Sequence, residues 1–226
     1  MKRSPMSLKK DILEVGRRTY IRGYVASNDG NISARLDRKH IFITPTGVSK
    51  GFMKPGDLIT VDMNGKVVGG KKKPSSEIFM HLHIYKERPD VNSICHAHPP
   101  YATGFAVAGI PLDQYVLPEV IITLGTIPLV SYGTTGTEEF YKPLLPLLQE
   151  YDAFLLANHG ALTVGSDVFS AYYKMEILEH YAHIIFIARN LGKVTTLKDE
   201  QVQKLIALRE RYGIRKPIGS ITSRQR

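Results

Sequence analysis

An α+β fold with a mostly antiparallel sheet is predicted for this 226-residue chain, and three observations predict it. Asn64-Gly65 stands between the short runs Leu58–Asp62 and Lys66–Val68, which is the strongest short-range hairpin signal. Ser27-Asn28-Asp29-Gly30-Asn31 is a dense turn signal that leads into the alternating run Ile32–Leu36. Hairpins are mixed with helical patterns along the chain, which argues against a doubly wound parallel sheet.

The elements follow in order. Leu8, Ile12, Val15, Ile21 and Val25 recur at roughly helical spacing and predict an opening amphipathic helix over residues 7–25. Strands are expected at Ile32–Leu36 and at His40–Thr44, the second ended by Pro45-Thr46-Gly47. The Asn64-Gly65 hairpin comes next. Ser75-Ser76-Glu77 opens a helix to about Arg88, with a serine as N-cap and a glutamate in the first turn. Ser93–His98 reads as a strand stopped by Pro99-Pro100, and a helix over about Tyr101–Ala108 follows. Short strands are expected at Val120–Ile122, Pro128–Val130 and Ala153–Leu156, with a helix at Glu138–Gln149 between the last two. A long helix from Val168 to Asn190 is closed by Gly192, and a last helix covers Lys198–Arg211. No internal repeat divides the chain, so residues 1–226 read as one domain, with a flexible basic tail over 213–226.

Composition excludes several classes. Hydrophobic content of 43% and charged content of 23% are ordinary for a soluble globular protein. No apolar run approaches the roughly 20 residues of a membrane helix. The N-terminus has basic residues without an apolar segment behind them, so it does not read as a secretory signal. The single cysteine, Cys95, excludes an intramolecular disulfide framework and suits a reducing cytoplasm. The net charge of +9 is concentrated at the N-terminus, at Lys71–Lys73 and from Arg209 to the end. Neither an aromatic-interleaved RNA-binding signature nor a Cys/His finger spacing accompanies it, so nucleic acid is not the expected partner. A basic surface that attracts small anionic substrates accounts for the charge more simply.

His96-Ala97-His98 carries the first chemistry. Residues i and i+2 of a strand project from one face, so both imidazoles can reach one ion at the strand's end. His159, in Ala157-Asn158-His159-Gly160, follows an apolar strand and is the candidate third ligand. Three protein ligands and an open position define catalytic zinc. His81-Leu82-His83 has the same spacing in a helical segment, where i and i+2 diverge; one should face packing and the other solvent, and neither is assigned to metal. His180 and His183 lie on the long helix and read as packing or surface residues. Ser75-Ser76-Glu77 places anion donors and an acid/base in one turn, with plain helix capping as the competing explanation. Gly30-Asn31 and Thr46-Gly47 are turns first, and cradle a phosphate only if the fold brings them beside Ser75 and Ser76.

Together these residues resemble the class II aldolase/adducin family over about Lys9 to Tyr212. The markers are GNIS (30–33), ITPTGVSKG (43–51), PSSE (74–77), HAHPPYAT (96–103), IPLVSYGTTGT (127–137) and NHGALTVG (158–165). Each is weak alone; six in the family's order are specific. The resemblance implies zinc on His96, His98 and His159, with Glu77 as a resting ligand and catalytic acid/base. It implies a phosphate pocket at Asn31, Thr46, Gly47, Ser75 and Ser76, and a C-terminal tyrosine, Tyr212, that reaches the site. Tyr115 is the nearest candidate for a second catalytic tyrosine, although Leu117-Pro118-Glu119 is the alternative occupant of that place. A three-layer α/β/α domain around a nine-stranded, mainly antiparallel sheet is implied, as is a cyclic homotetramer with shared sites. The implied activity is aldol cleavage of a ketose 1-phosphate. A pentulose-phosphate epimerase or sugar-phosphate dehydratase is the rival on the same scaffold, the dehydratase pattern having a cysteine where this chain has Glu77. A non-catalytic adducin-like module has no need of three ligand histidines and Glu77.

Overall fold

A computed structural model describes residues 4–212 and 214. Ser4 caps the first helix by accepting from the Ser7 N–H, and Pro5 at its first position has the fixed φ that suits a helix start. This helix, α1 (Pro5–Ile21), buries Ile12, Val15 and Thr19. Val25, expected to continue its apolar face, is buried beyond the helix, whereas Ile21 is exposed. Strands β1 (Asn31–Arg35), β2 (His40–Ile43), β3 (Ile59–Asp62) and β4 (Val67–Gly69) then form an antiparallel meander. Gly65 turns the β3–β4 hairpin at φ +88°, as the Asn64-Gly65 signal predicts.

The remaining elements are α2 (Ile78–Glu87), β5 (Ser93–Ala97), α3 (Pro100–Val107), α4 (Pro118–Thr123), β6 (Leu129–Val130), α5 (Glu138–Tyr141), β7 (Ala153–Leu156), β8 (Gly160–Gly165), α6 (Val168–Leu191) and α7 (Asp199–Arg209). Short 3-10 turns cover Lys50–Phe52, Pro55–Asp57, Lys142–Leu147 and Glu210–Tyr212. One sheet has the order β4-β3-β2-β1-β5-β8-β7-β6, and every pair but β6–β7 is antiparallel. The described residues thus give eight strands where the resemblance implied nine.

Alternation along the central strands sorts their side chains onto two faces. Ala153 and Leu155 join Ile32, Ala34, Cys95, Ala97 and Ala161 in a cluster with residues of α1, α3 and α6. Phe154 and Leu156 join Ile94, Leu162 and Val164 in a second cluster with residues of α2 and α5. The period of two along β7 is the reason one strand feeds both clusters. Burying a side chain of this size contributes roughly 1.5–3 kcal/mol.

Four boundaries differ from expectation. Val120–Ile122 is helical, not extended: Pro118 starts α4, and Val120 and Ile121 are buried on that helix. Helix α2 starts at Ile78 with Glu77 at its N-cap, so Glu77 precedes the first turn and Ser75 is not the cap. Ser75 instead accepts the Glu77 N–H through Oγ at 3.3 Å. The helix expected over Glu138–Gln149 narrows to a 3-10 turn at Lys142, because Pro143 and Pro146 lack the N–H groups an α-helix needs. Finally, β8 was not expected as a strand, yet its pairing with β5 is what builds the site. The tail expected over 213–226 lies, apart from Ile214, outside the described residues.

Candidate metal centre

Antiparallel pairing decides where the histidines meet. Asn31 at the start of β1 is in register with His96 near the end of β5, and Ala97 of β5 is in register with Ala161 at the start of β8. One end of the sheet therefore carries the start of β1, the end of β5 and the β7–β8 turn. Asn158 adopts φ +55° in that turn and His159 follows it, immediately before β8. Two glycines allow the close approach. A Cβ on Gly160 would lie 2.6 Å from the Ala97 carbonyl oxygen and 2.6 Å from the His98 ring; one on Gly30 would lie 2.7 Å from the His96 carbonyl oxygen, at φ +69°.

The result is a cluster in which His96, His98 and His159 can hold one metal ion. His96 Nε2 lies 3.2 Å from His98 Nε2 and 3.0 Å from His159 Nε2. The Glu77 carboxylate spans it, with Oε2 3.2 Å from His96 Nε2 and Oε1 3.1 Å from His159 Nε2. His96 Nδ1–H donates to the Ala161 carbonyl at 2.9 Å, which leaves the Nε2 lone pair facing the cluster. His98 leaves the strand with its N–H bonded to the Tyr24 carbonyl, and its Nδ1 lies 3.6 Å from Asp29 Oδ2. Side-chain exposure rises from 0% at His96 to 16% at His159 and 26% at His98, so His96 is sealed in the core while the other two reach solvent.

Burial sets the protonation. It pushes the His96 imidazole down to about 3 and also lowers His98, so both favour the neutral form that ligates metal. Burial alone would raise the Glu77 carboxyl. The His96 and His159 imidazoles and the Asn31 amide outweigh it and hold Glu77 well below the usual carboxylate range. Asn31 Nδ2 donates to Glu77 Oε2 at 2.9 Å.

The loops named for phosphate come together beside Glu77. Pro45 bridges Pro74, Thr46 N–H donates to the Lys73 carbonyl at 3.1 Å, and Ser75 N–H donates to the Thr44 carbonyl at 3.3 Å. Thr46-Gly47 and Ser75-Ser76 thus lie on paired segments. Lys50, only 2% exposed, donates through Nζ to the Asn28 and Val48 carbonyls at 2.8 and 3.0 Å and so ties the 26–30 turn to this loop. Burial pushes its amine down to about 8, against the pull of Asp29 and Glu77.

Neither tyrosine candidate has a described bond to this cluster. Tyr115 bonds to Leu197 through its carbonyl, and burial raises its hydroxyl, which interacts with Tyr151, Arg209 and Asp113. Tyr212 ends the last 3-10 turn and is 68% exposed. Glu119, the alternative to Tyr115, is exposed in the first turn of α4. Of the histidines not assigned to metal, His81 is fully buried, His83 stacks on Tyr141, His183 stacks on Tyr101, and His180 is exposed on α6. Sequence reasoning missed Asp29, which lies within the turn signal 27–31, and Lys50, which lies within the 43–51 marker but was given no part. It also gave no part to His81 or Ser33, which touch the network behind Glu77.

A mostly antiparallel sheet with a three-histidine, one-carboxylate centre at one end defines the class, and residues 10–186 match the family described as Class II Aldolase and Adducin N-terminal domain. The chain belongs to that family, whose aldolase members are lyases. It is 40% identical over 172 residues to an L-fuculose phosphate aldolase of Methanococcus maripaludis, covering 76% of this chain and 92% of that protein. It is 33% identical over 205 residues to a 3-oxo-tetronate 4-phosphate decarboxylase of Haemophilus influenzae, covering 88% and 96% of the two chains. A solved L-fuculose 1-phosphate aldolase superposes with a TM-score of 0.84 at 30% identity, covering 93% of this chain and all of that one.

Proposed function

We propose that the chain is a zinc-dependent aldehyde-lyase that cleaves a ketose 1-phosphate of the L-fuculose 1-phosphate type into dihydroxyacetone phosphate and an aldehyde. The observation that carries this reading is the Glu77 carboxylate, set against two histidines of a three-histidine cluster and next to the paired 44–47 and 73–75 segments. Zinc suits the donor set. Tetrahedral Zn–N bonds of 2.0–2.1 Å place ligand nitrogens about 3.3 Å apart, close to the 3.0 and 3.2 Å separations of the Nε2 atoms here. When bound by His96, His98 and His159, zinc supplies Lewis-acid polarisation of the substrate's carbonyl and hydroxyl oxygens and stabilises enediolate charge.

The chain's own residues do the rest. Asn31, Thr46, Gly47, Ser75 and Ser76 receive the phosphate, and the +9 charge attracts it. The ionised Glu77 carboxylate accepts the C4 hydroxyl proton as the C3–C4 bond breaks; C4 leaves as the aldehyde and the bonding electrons remain on C3 as the enediolate. Glu77 then delivers that proton to C3 and completes dihydroxyacetone phosphate. A tyrosine, Tyr115 or Tyr212, assists the departing aldehyde. The 68% exposure of Tyr212 supports a site shared between subunits of a homotetramer, in which a neighbour's tyrosine completes each centre. Gel filtration tests that arrangement, and a fully active monomer refutes it.

A second reading is favoured by the decarboxylase relative. Loss of carbon dioxide from a 3-oxo-tetronate 4-phosphate leaves the same enediolate, and the same protonation gives dihydroxyacetone phosphate. Release of that product alone therefore does not separate the two. The deciding experiment offers a panel of ketose 1-phosphates and 3-oxo-tetronate 4-phosphate to the zinc-loaded protein and measures aldehyde and carbon dioxide separately. Aldehyde release supports the lyase proposed here; carbon dioxide from the oxo acid alone replaces it with the decarboxylase. An epimerase or dehydratase on pentulose 5-phosphates releases neither.

A further inference from the structure

Behind Glu77 lies a buried ladder of polar side chains, of which Asn31 also belongs to the proposed phosphate pocket, while Ser33, His81 and Tyr85 belong to neither the metal nor the phosphate site. Glu77, His81 and Tyr85 recur at four-residue spacing along α2 and its N-cap, and Asn31 and Ser33 recur at two-residue spacing along β1. Four residues of helix rise about 6.0 Å and two residues of strand about 6.6 Å, so the two rows stay in step. The rungs interleave. Asn31 lies between Glu77 and His81, bonded at 2.9 and 2.5 Å, and Ser33 lies between His81 and Tyr85, at 2.7 Å to each. Ser33, His81 and Tyr85 are at most 2% exposed and Asn31 is 4% exposed.

The chemistry of the end group sets the direction of every bond. A carboxylate only accepts, so Asn31 must turn its amide nitrogen toward Glu77 and its oxygen toward His81. His81 must then carry its proton on Nε2. With the ring neutral, as complete burial favours, Nδ1 accepts from the Ser33 hydroxyl, which in turn accepts from Tyr85. Each of the four links has one donor and one acceptor.

We propose that His81 is a positioning residue: held in the Nε2–H tautomer by Ser33 and Tyr85, it fixes the Asn31 amide and through it the orientation of the Glu77 carboxylate. The proposal rests on the role given to Glu77 above. A free Asn31 amide can rotate and present its oxygen to Glu77, which repels the carboxylate from its place between His96 and His159. His81 prevents this because reversal sets the amide nitrogen against an N–H and leaves two donors facing each other.

Imidazole 15N shifts of the zinc-loaded protein test the direction without reference to activity. The Nε2–H tautomer is expected for His81 between pH 6 and 8, and the Nδ1–H tautomer overturns the proposal. His81→Phe keeps a planar ring and removes both polar atoms. It is expected to weaken zinc binding about tenfold by chelator competition and to lower kcat roughly 10–100-fold with KM within threefold. His81→Gln, which restores a donor near the Nε2 position, is expected to recover most of both. In an Asn31→Ala background His81→Phe is expected to cost less than about threefold, because its only route to Glu77 is gone. Unchanged zinc affinity in a folded His81→Phe protein, or an equal loss in the Asn31→Ala background, overturns the proposal. If no substrate is turned over by the wild type, the functional reading fails, while the tautomer and zinc affinity still decide the ladder.

Discussion

His96 and His159 stack with their ring planes 5° from parallel and their Nε2 atoms 3.0 Å apart. His96 has committed its Nδ1 proton to the Ala161 carbonyl, so its Nε2 presents a lone pair to this gap. Bringing that lone pair against a second imidazole and a carboxylate makes sense when a cation is shared between them. Purified protein is therefore expected to hold about one zinc per chain. Saturating zinc should raise the thermal midpoint of EDTA-treated protein by roughly 5–10 °C, and a His96→Ala/His98→Ala double variant should lose the effect. Metal analysis and scanning calorimetry check this; stoichiometric zinc in the double variant contradicts the site.

Glu77→Gln keeps the shape of the side chain and removes its ionisable proton. Turnover is expected to fall by about 10²–10⁴ while substrate still binds. Glu119→Gln, at an exposed residue in the first turn of α4, should have the smaller effect. The reverse ranking, measured by kcat on one substrate, assigns the proton transfer to Glu119.

Lys50 holds two loops together by donating to the Asn28 and Val48 carbonyls from a buried position. Lys50→Met keeps the aliphatic stem and leaves both acceptors without this donor. A loss of about 1–3 kcal/mol is expected in urea unfolding, with a raised KM for the phosphorylated substrate. Unchanged stability and KM show that the carbonyls find water instead.

His81 contributes, alongside His96, to the pH dependence of stability. An ordinary imidazole titrates near 6.5, whereas burial pushes His81 down to about 4. Below pH 6.5 the unfolded chain takes up this proton and the native chain does not, so acidification favours unfolding. The contribution is complete above about pH 6.5, declines between 6.5 and 4, and levels below 4. Unfolding free energies of the metal-free protein at pH 7, 5.5 and 4.5 should show that decline, and His81→Gln should make it shallower. An equal slope in the variant places the proton uptake elsewhere, with His96 the next candidate.

Much was legible in the sequence because it depends on spacing. Asn64-Gly65 fixed a hairpin through backbone conformation alone, and the close spacing of His96 and His98 kept both imidazoles at one strand end, although β5 stops at Ala97 and His98 lies one residue beyond it. The three histidines that the fold clusters and the α+β class followed from such local rules and from the resemblance. Other features were illegible because they are decided by partners distant along the chain. Val120–Ile122 is β-branched and reads as a strand, yet Pro118 and burial of Val120 and Ile121 make it helical. Strand β8, rich in small residues, takes its identity from pairing with β5, some 65 residues earlier along the chain. The Asn31–Glu77 bond crosses 46 residues and the Asn31–His81 bond crosses 50. The sequence by itself determined which groups are available and which pairs share a face. Only the tertiary structure decided which of them meet, because antiparallel register brings β1, β5 and β8 to one end, and helix α2 with its N-cap packs positions 77, 81 and 85 against β1.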